Sequence, residues 1–167
     1  MSVKRSILYR PARLTLGIER VSFYNHSNMN DRTRSEELRR LGLVPTVQRL
    51  AILNYLDKHR THPTAEEVYD AVRDRFPSLS RATVYNSLDA LKRAGAILEL
   101  TIAREAARYD AYASPHPHFL CRSCGTLYDV DLPCSIRPGD LVLGHQVEVV
   151  HVYLYGLCQD CRDGGRA

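Results

Sequence analysis

Four of the five cysteines in this 167-residue chain fall into two Cys-x-x-Cys pairs. The pairs are separated by 33 residues and consist of Cys121, Cys124, Cys158 and Cys161. At this spacing a tight turn points two thiolates at one metal ion, and two such turns complete a tetrahedral sulfur site with no open coordination position. We therefore predict a structural zinc site. The alternative, a redox disulfide, would come with a βαβ pattern that is missing here, and the remaining Cys134 is predicted to be inert.

A second group of residues offers nitrogen and oxygen ligands. His116 and His118 are two positions apart at the start of a predicted strand, so both imidazoles project to one face, whereas Cys121 has the opposite parity. Asp110 and Asp129, each on another predicted strand, can converge on the same point. Such a mixed set suits Fe(II), Mn(II) or Zn(II). The alternatives are an unoccupied surface histidine pair and a small metalloenzyme. No general base or nucleophile motif supports an enzyme, so we expect none.

The charge distribution points to a polyanionic partner for the N-terminal part of the chain. Residues 1–49 hold ten Lys or Arg and four Asp or Glu, whereas the whole chain has a net charge of only +4. A basic segment followed by a slightly acidic remainder suits a protein that meets nucleic acid with its N-terminal half. The alternative is a solvated basic tail. No secretory signal or membrane span is expected, and paired cysteines that bind metal rather than form disulfides suit a cytoplasmic protein.

Four helices and a β-hairpin are predicted before residue 114. Thr64 and Glu67 form a capping box for the third helix, whose buried stripe is expected to be Val68, Ala71 and Val72. The fourth helix begins after Ser80 and ends at Gly95, with Val84, Leu88 and Leu91 facing inward. The predicted helices cover 35–41, 46–59, 64–76 and 81–95, and the strands 96–102 and 107–111. This order is typical of a winged helix-turn-helix DNA-binding domain.

The chain then changes to strands. We predict strands over 118–121, 126–132 and 145–156, and no long helix over 132–144, where prolines and glycines recur. The fold class is therefore α+β, with a winged helix followed by a small, mainly β domain that carries the four cysteines. The predicted boundaries are 1–32 for a poorly ordered extension, 33–113 for the DNA-binding domain and 114–163 for the dimerisation and metal-binding domain.

Residues 37–161 resemble the Fur family of metal-responsive bacterial repressors. The matching motifs, in the family's order and spacing, are QRLAIL (48–53), HPTAEEVY (62–69), SLSRATVYNSLDAL (78–91), RYD (108–110), HPHFLCRSCG (116–125) and GLCQDC (156–161). The resemblance implies a homodimer that binds an operator, an inverted repeat in double-stranded DNA, when its regulatory site holds metal. It also implies that the four cysteines hold structural zinc, and that the regulatory ligands are His62, Asp110, His116, His118 and Asp129.

Within the family, aspartate ligands resemble the peroxide-sensing PerR branch, closest to the actinobacterial FurA type. In that branch bound Fe(II) reacts with hydrogen peroxide, a ligand histidine is oxidised, and the repressor leaves DNA. Two departures point the other way: Leu50 stands where PerR proteins usually have a histidine, and His62 is the fifth ligand as in iron-sensing relatives. The alternative is therefore a regulator of iron, zinc or manganese uptake without oxidation chemistry.

The resemblance also assigns a DNA-binding surface. Tyr85 matches the family's DNA-contacting tyrosine, and it lies on the polar face of the fourth helix, where a phenol can touch a base edge or a sugar. Packing of Tyr85 on a neighbouring helix is the alternative. Arg81 and Asn86 share that helix, and Val44 replaces a usual basic residue. The expected phosphate contacts are Arg39, Arg40 and Arg49. An RNA-binding zinc ribbon is a further alternative, which the winged helix makes unnecessary.

Overall fold

The structure of the protein is a computed structural model that describes residues 30–103 and 105–164. Four helices and a two-stranded hairpin come first, followed by five short strands and a final short helix. The first group consists of α1 (Asp31–Arg40), α2 (Val47–Lys58), α3 (Ala65–Arg73), α4 (Arg81–Arg93), β1 (Leu98–Leu100) and β2 (Arg108–Asp110). The second consists of β3 (His118–Cys121), β4 (Leu127–Asp129), β5 (Leu141–Val142), β6 (His145–Gln146), β7 (Tyr153–Gly156) and α5 (Gln159–Arg162). The predicted α+β class is confirmed.

Helix starts follow the capping residues of the sequence. The side chain of Thr64 accepts a hydrogen bond from the Glu67 amide while the Glu67 carboxylate accepts one from the Thr64 amide, so the predicted capping box is present. Ser80 caps α4 as predicted. The first helix begins earlier than expected because Asn30 caps it, accepting a hydrogen bond from the Thr33 amide. Residues 31 and 32, assigned to the extension, are therefore helical, and residues 1–29 lie outside the described part.

The apolar faces of α1 to α4 enclose one core. Val84, Leu88 and Leu91 on α4 are fully buried, as predicted. The expected stripe on α3 is wrong at one position, because Val68 and Val72 are buried whereas Ala71 is exposed. The buried members of this core are Leu38, Ile52, Leu53, Leu56, Ala65, Val68, Val72, Leu79, Val84, Leu88, Leu91, Ile97 and Tyr109.

The hairpin after α4 joins the two parts of the chain. Strands β1 and β2 pair antiparallel, with Leu98 opposite Asp110, and both are shorter than the predicted runs. Leu100 and Ile102 leave the helical core and pack with Leu127 of β4 in a second, smaller cluster. The Tyr153 hydroxyl of β7 accepts a hydrogen bond from the Thr101 amide at 3.2 Å. The β1–β2 hairpin, the wing of the predicted winged helix, therefore packs directly on the C-terminal sheet.

The C-terminal part contains a three-stranded sheet in the order β4-β3-β7, in which β3 pairs antiparallel with β4 and parallel with β7. The predicted long strand over 145–156 is wrong. Only 145–146 and 153–156 are strands, and they pair with different partners. A turn at Leu143 and Gly144, both with positive φ, pairs β6 with β5, whereas β7 pairs with β3. Within the described residues no helix forms over 132–144, as predicted. None of the described helices has the length and apolarity needed to span a bilayer.

Candidate metal centres and nucleic-acid interface

The four cysteines of the two pairs meet at one end of the C-terminal sheet. Their Sγ atoms all lie within 4.8 Å of one another, and the Cys124 and Cys158 sulfurs are 3.8 Å apart. Cys121 ends β3, while Cys158 is the N-cap of α5 and places Cys161 inside that helix. A tetrahedral zinc ion with zinc–sulfur bonds of about 2.3 Å separates its sulfur ligands by about 3.8 Å. The cluster therefore fits a structural zinc ion with four thiolate ligands.

Electrostatics at this cluster favour a cation. Hydrogen bonds from the backbone amides of Cys124 and Cys158 lower the pKa of Cys121 to about 6, so this sulfur is a thiolate at neutral pH. Ser123 favours the thiolate of Cys161, but hydrogen bonds with the other three cysteines outweigh it and raise the pKa of Cys161 to about 12. Four sulfurs in this space cannot all be charged without a counter-ion. A divalent ion removes that repulsion and allows all four to bind as thiolates.

The histidines and aspartates form a second cluster between the two parts of the chain. One ligand atom from each of five residues lies within 4.8 Å of the others. Two ligands come from the N-terminal part of the chain, namely His62 in the loop before α3 and Asp110 at the end of β2. Three come from the C-terminal side, namely His116 before β3, His118 in β3 and Asp129 in β4. The structure thus brings together all five residues that the sequence predicted.

The geometry of this cluster is that of ligands around a shared centre. Three imidazole Nε2 atoms surround Asp129 Oδ1, at 2.7 Å for His62, 3.1 Å for His116 and 3.6 Å for His118. Asp110 Oδ2 lies 3.2 Å from His116 Nε2 and 3.5 Å from His118 Nε2. The pairing of His118 with Asp129 across β3 and β4 fixes two of these positions in register.

Buried polar atoms in this cluster have unused bonding capacity. His62 and His118 are only 2% and 1% exposed. Asp110 Oδ2 and His118 Nε2 are buried and, among the described residues, form no hydrogen bond. A buried carboxylate oxygen and a buried imidazole nitrogen that face each other without bonding are costly unless a cation lies between them. The residues present therefore fit a regulatory metal ion with nitrogen and oxygen ligands.

Charge separation at the cluster supports the same conclusion. Burial is the largest single effect and works against ionisation of both His116 and Asp129, but hydrogen bonds and opposite charges together outweigh it. For His116 these come from Asp129, Asp110 and the Ser114 carbonyl, and for Asp129 from His116 and His62. As a result the pKa of His116 is raised above its ordinary value and the pKa of Asp129 is held well below its usual range. Asp129 is therefore a carboxylate at any physiological pH, in the charged form that a metal ion requires.

The predicted DNA-reading residues lie on the outer face of α4. Tyr85 is 47% exposed, and Arg81 and Asn86 are exposed beside it. The sequence did not predict what holds them. Glu66, in the first turn of α3, accepts a hydrogen bond from Arg81 Nε at 2.8 Å and a long one from the Tyr85 hydroxyl at 3.4 Å. The Arg81 guanidinium also lies over the Tyr69 ring, 4.6 Å from its centre. The helix dipole already favours an acid in the first turn of a helix, so no signal in the sequence marked Glu66 as a partner of Arg81.

The three predicted phosphate contacts lie in two environments. Arg39 and Arg40 are exposed in the last turn of α1. Arg49 is half-buried, and its Nη1 donates a hydrogen bond to the Val44 carbonyl at 2.7 Å, which ties α2 to the turn before it. Two further histidines of the C-terminal part, His145 and His151, lie outside both clusters, and His151 Nδ1 is 3.2 Å from the Tyr153 hydroxyl.

The loop that carries His62 has an unusual backbone. His62 has a φ of +52°, in the left-handed region. Its carbonyl accepts a hydrogen bond from Arg108 Nη1 of β2 at 3.2 Å, and the next carbonyl, that of Pro63, accepts one from the Tyr109 amide at 2.9 Å. Arg108 is a further residue that the sequence did not predict.

Comparisons with known proteins agree on one family. Residues 40–156 match the ferric uptake regulator family. The peroxide operon regulator of Bacillus subtilis is 38% identical over 129 residues, which cover 75% of this chain and 89% of that protein. The ferric uptake regulator of Pseudomonas aeruginosa, solved with manganese, is 27% identical with a TM-score of 0.60, over 75% of this chain and 97% of that one. The peroxide stress regulator of Campylobacter jejuni is 26% identical with a TM-score of 0.55, over 80% of this chain and 100% of that one.

Proposed function

Because this chain belongs to the ferric uptake regulator family, we propose that it is a transcriptional repressor that binds operator DNA when its His/Asp cluster holds a divalent metal ion. The observation that carries the proposal is the origin of the five ligands, two from the DNA-binding domain and three from the C-terminal side. An ion bound by both parts favours one relative position of the two parts. Metal binding and DNA binding are then coupled, since each favours the same arrangement.

The roles of the residues follow from this coupling. His62, Asp110, His116, His118 and Asp129 would hold Fe(II) or Mn(II), or Zn(II) in a zinc-responsive protein, while the four cysteines hold zinc and keep β3 in place. Tyr85, Arg81 and Asn86 would contact bases and sugars, and Arg39, Arg40 and Arg49 phosphates. A homodimer would place two α4 helices on an inverted repeat in the cytoplasm. Residues 33–113 would then form the DNA-binding domain, joined at its start by Asp31 and Arg32, and residues 114–163 the dimerisation domain.

We further propose that the regulatory site senses peroxide. When bound, Fe(II) would supply the reduction of hydrogen peroxide that oxidises a ligand imidazole. His116 is the accessible candidate, because its side chain is 12% exposed whereas that of His118 is 1% exposed. The oxidised imidazole would hold metal poorly, so the domains would separate and the operator would be released. Support comes from the relatives in Bacillus subtilis and Campylobacter jejuni, both named as peroxide regulators.

A plain metal sensor is the second candidate function. It is favoured by His62, which supplies a third imidazole and lies 2.7 Å from Asp129 Oδ1, so the cluster offers five ligands without any further residue. A site filled by five protein ligands has less room for peroxide to reach the ion. In that case metal removal, and not oxidation, would release the DNA.

The two candidates separate in one experiment. The zinc-loaded full chain is mixed anaerobically with a fluorescent inverted-repeat DNA and either Fe(II) or Mn(II), and anisotropy is followed before and after addition of hydrogen peroxide. A peroxide sensor should bind with both metals, should release DNA only in the Fe(II) sample, and should gain one oxygen atom on His116 or His118 by peptide mass spectrometry. Release by chelator alone, with no oxygen gained, would leave the plain metal sensor. If neither metal strengthens DNA binding, the repressor proposal itself is wrong.

A further inference from the structure

The left-handed backbone of His62 needs a stabilising partner. A φ of +52° is uncommon for residues other than glycine, although histidine adopts it more readily than most. The residue is also 2% exposed, so water does not satisfy its backbone carbonyl. A buried residue in this conformation persists when its surroundings hold it from several sides.

Strand β2 supplies that support from one side. Arg108 Nη1 donates to the His62 carbonyl at 3.2 Å, the Tyr109 amide donates to the Pro63 carbonyl at 2.9 Å, and Thr64 forms an isolated bridge with Arg108. On the other side, His62 Nε2 lies 2.7 Å from Asp129 Oδ1. The loop is thus fixed between β2 of the wing and β4 of the C-terminal sheet.

The environment of Arg108 indicates that its main role is the hydrogen bond to the His62 carbonyl. Among the described residues Arg108 forms no salt bridge, and its buried Nε has no hydrogen-bond partner. Arg108 is half-buried, and a buried Nε without a partner costs free energy that other contacts of the side chain must offset. Its Nη1 donates to the His62 carbonyl, which without Arg108 would be a buried acceptor left without this donor.

We propose that Arg108 is a positioning residue of the regulatory metal site, a proposal that rests on the proposed function of the His/Asp cluster. Arg108 holds the His62 carbonyl so that the imidazole points across the domain boundary at Asp129. Asp110, itself a ligand, is two residues further along β2, so the two side chains project to the same face of the strand. Strand β2 therefore positions both N-terminal ligands: it holds His62 through a hydrogen bond from Arg108, and it carries Asp110 itself.

The test compares Arg108→Met and Arg108→Lys in the zinc-loaded full chain, with Mn(II) as the probe. Mn(II) affinity is measured by competition with a fluorescent chelator. Loss of a residue that orients a metal ligand typically weakens binding by about 10-fold to 100-fold, and this is expected for Arg108→Met. Arg108→Lys keeps the charge and has a single donor group, so a smaller loss is expected. The zinc content should remain one ion per chain, because Arg108 does not belong to the four-cysteine site. Arg73→Met, which removes an exposed arginine of α3, is the matched control and should not alter Mn(II) affinity.

A double-mutant cycle separates positioning from general damage. In a His62→Ala background the Arg108→Met change should cost no further Mn(II) affinity, because the ligand that Arg108 positions is already gone. An equal loss in both backgrounds, or unchanged affinity in Arg108→Met and Arg108→Lys, would overturn the proposal. If Arg108→Met does not fold, Arg108→Lys carries the cycle. If instead the unaltered chain does not bind Mn(II) beyond its zinc, the proposed function fails first, so the two failures are distinguishable.

Discussion

The two clusters are both compact, with ligand atoms within 4.8 Å of one another, yet they differ in origin and chemistry. The four thiolates all come from the C-terminal part and join β3 to the segment after β7. The five nitrogen and oxygen ligands come from both parts of the chain. A closed sulfur site inside one sheet strengthens that sheet, whereas a mixed site across a domain boundary changes the relative position of two parts. Compactness alone therefore does not distinguish a structural ion from a regulatory one; what distinguishes them is which elements the ligands belong to.

The two clusters also differ in the type of ligand that they offer to a metal ion. Thiolates bind zinc tightly, and a site with four protein sulfurs has no open position for exchange. Imidazoles and carboxylates bind divalent ions of the first transition row with graded affinity, so occupancy can follow the metal supply. The following changes test whether the two sites are as separate as this comparison implies.

The largest effect is expected from Cys158→Ser. The Cys158 amide donates to Cys121 Sγ at 3.3 Å, and its own sulfur completes the cluster, so the change should release zinc and unfold the C-terminal sheet. Structural zinc contributes about 10–16 kcal/mol of apparent binding free energy, as much as the whole stability of a small domain. Zinc content and circular dichroism melts measure the outcome. Cys134→Ser, outside the cluster, is the control and should behave like the unaltered chain. A folded, zinc-free Cys158→Ser protein that still dimerises would show that the zinc is not structural.

The next effect is expected from His118→Ala. His118 is buried in β3 and contacts both aspartates, so its loss should weaken Mn(II) binding at least 100-fold, or about 2.7 kcal/mol. Zinc content should stay at its original level, because His118 contributes nothing to the sulfur cluster. Elemental analysis and a Mn(II) titration check both statements in one sample. His145→Ala, an exposed histidine outside both clusters, serves as the control. Loss of zinc along with manganese would mean that the two sites are not independent.

A smaller effect is expected from Tyr153→Phe. The Tyr153 hydroxyl accepts a hydrogen bond from Thr101 and so connects the wing to β7 without any metal ligand. Its removal should lower the free energy of unfolding by about 1 kcal/mol, as is usual for one hydrogen bond. Urea denaturation with and without Mn(II) measures it, and Tyr69→Phe, within the N-terminal domain, is the control. An unchanged midpoint in the metal-free protein would show that this hydrogen bond adds nothing to the stability of the contact between the two parts.

The smallest effect is expected from Glu66→Gln, a residue of α3 that belongs to neither cluster. Glu66 holds Arg81 and Tyr85, so neutralising it should free the Arg81 guanidinium for a phosphate. Binding to non-operator DNA should then tighten, and its salt dependence should steepen by about 0.9, as for one additional phosphate contact. Anisotropy titrations at several salt concentrations measure this, with Asp74→Asn at the exposed end of α3 as control. A change in manganese affinity would instead reveal direct coupling between α3 and the regulatory site.

The sequence predicted more of the sites than of the elements that carry them. Cys-x-x-Cys spacing is local, so the sulfur cluster could be predicted without the fold. The alternation of His116 and His118 likewise predicted a shared face, but His62 was assigned only by family resemblance, because its contact with Asp129 spans 67 residues. Local patterns could not predict that the strand-like run 145–156 would divide into β6, paired with β5, and β7, paired with β3, or that Asn30 would start α1. Arg108 and Glu66 were missed because their roles depend on partners that are distant in sequence.

The parallel pairing of β3 with β7 has a consequence for how the chain folds. His118 pairs with Tyr153, 35 positions later, with the three strands β4, β5 and β6 in between. Closing a flexible loop of this size costs roughly 3 kcal/mol of chain entropy before any contact is gained. Parallel strands joined over such a distance form slowly for that reason. The two cysteine pairs lie at the two ends of the same loop. Binding of one zinc ion to all four cysteines therefore closes the loop and brings β3 and β7 together, and the free energy of zinc binding offsets the entropy cost of closure. Zinc supply should therefore govern the rate at which newly made chains reach the native state, as well as the stability of that state.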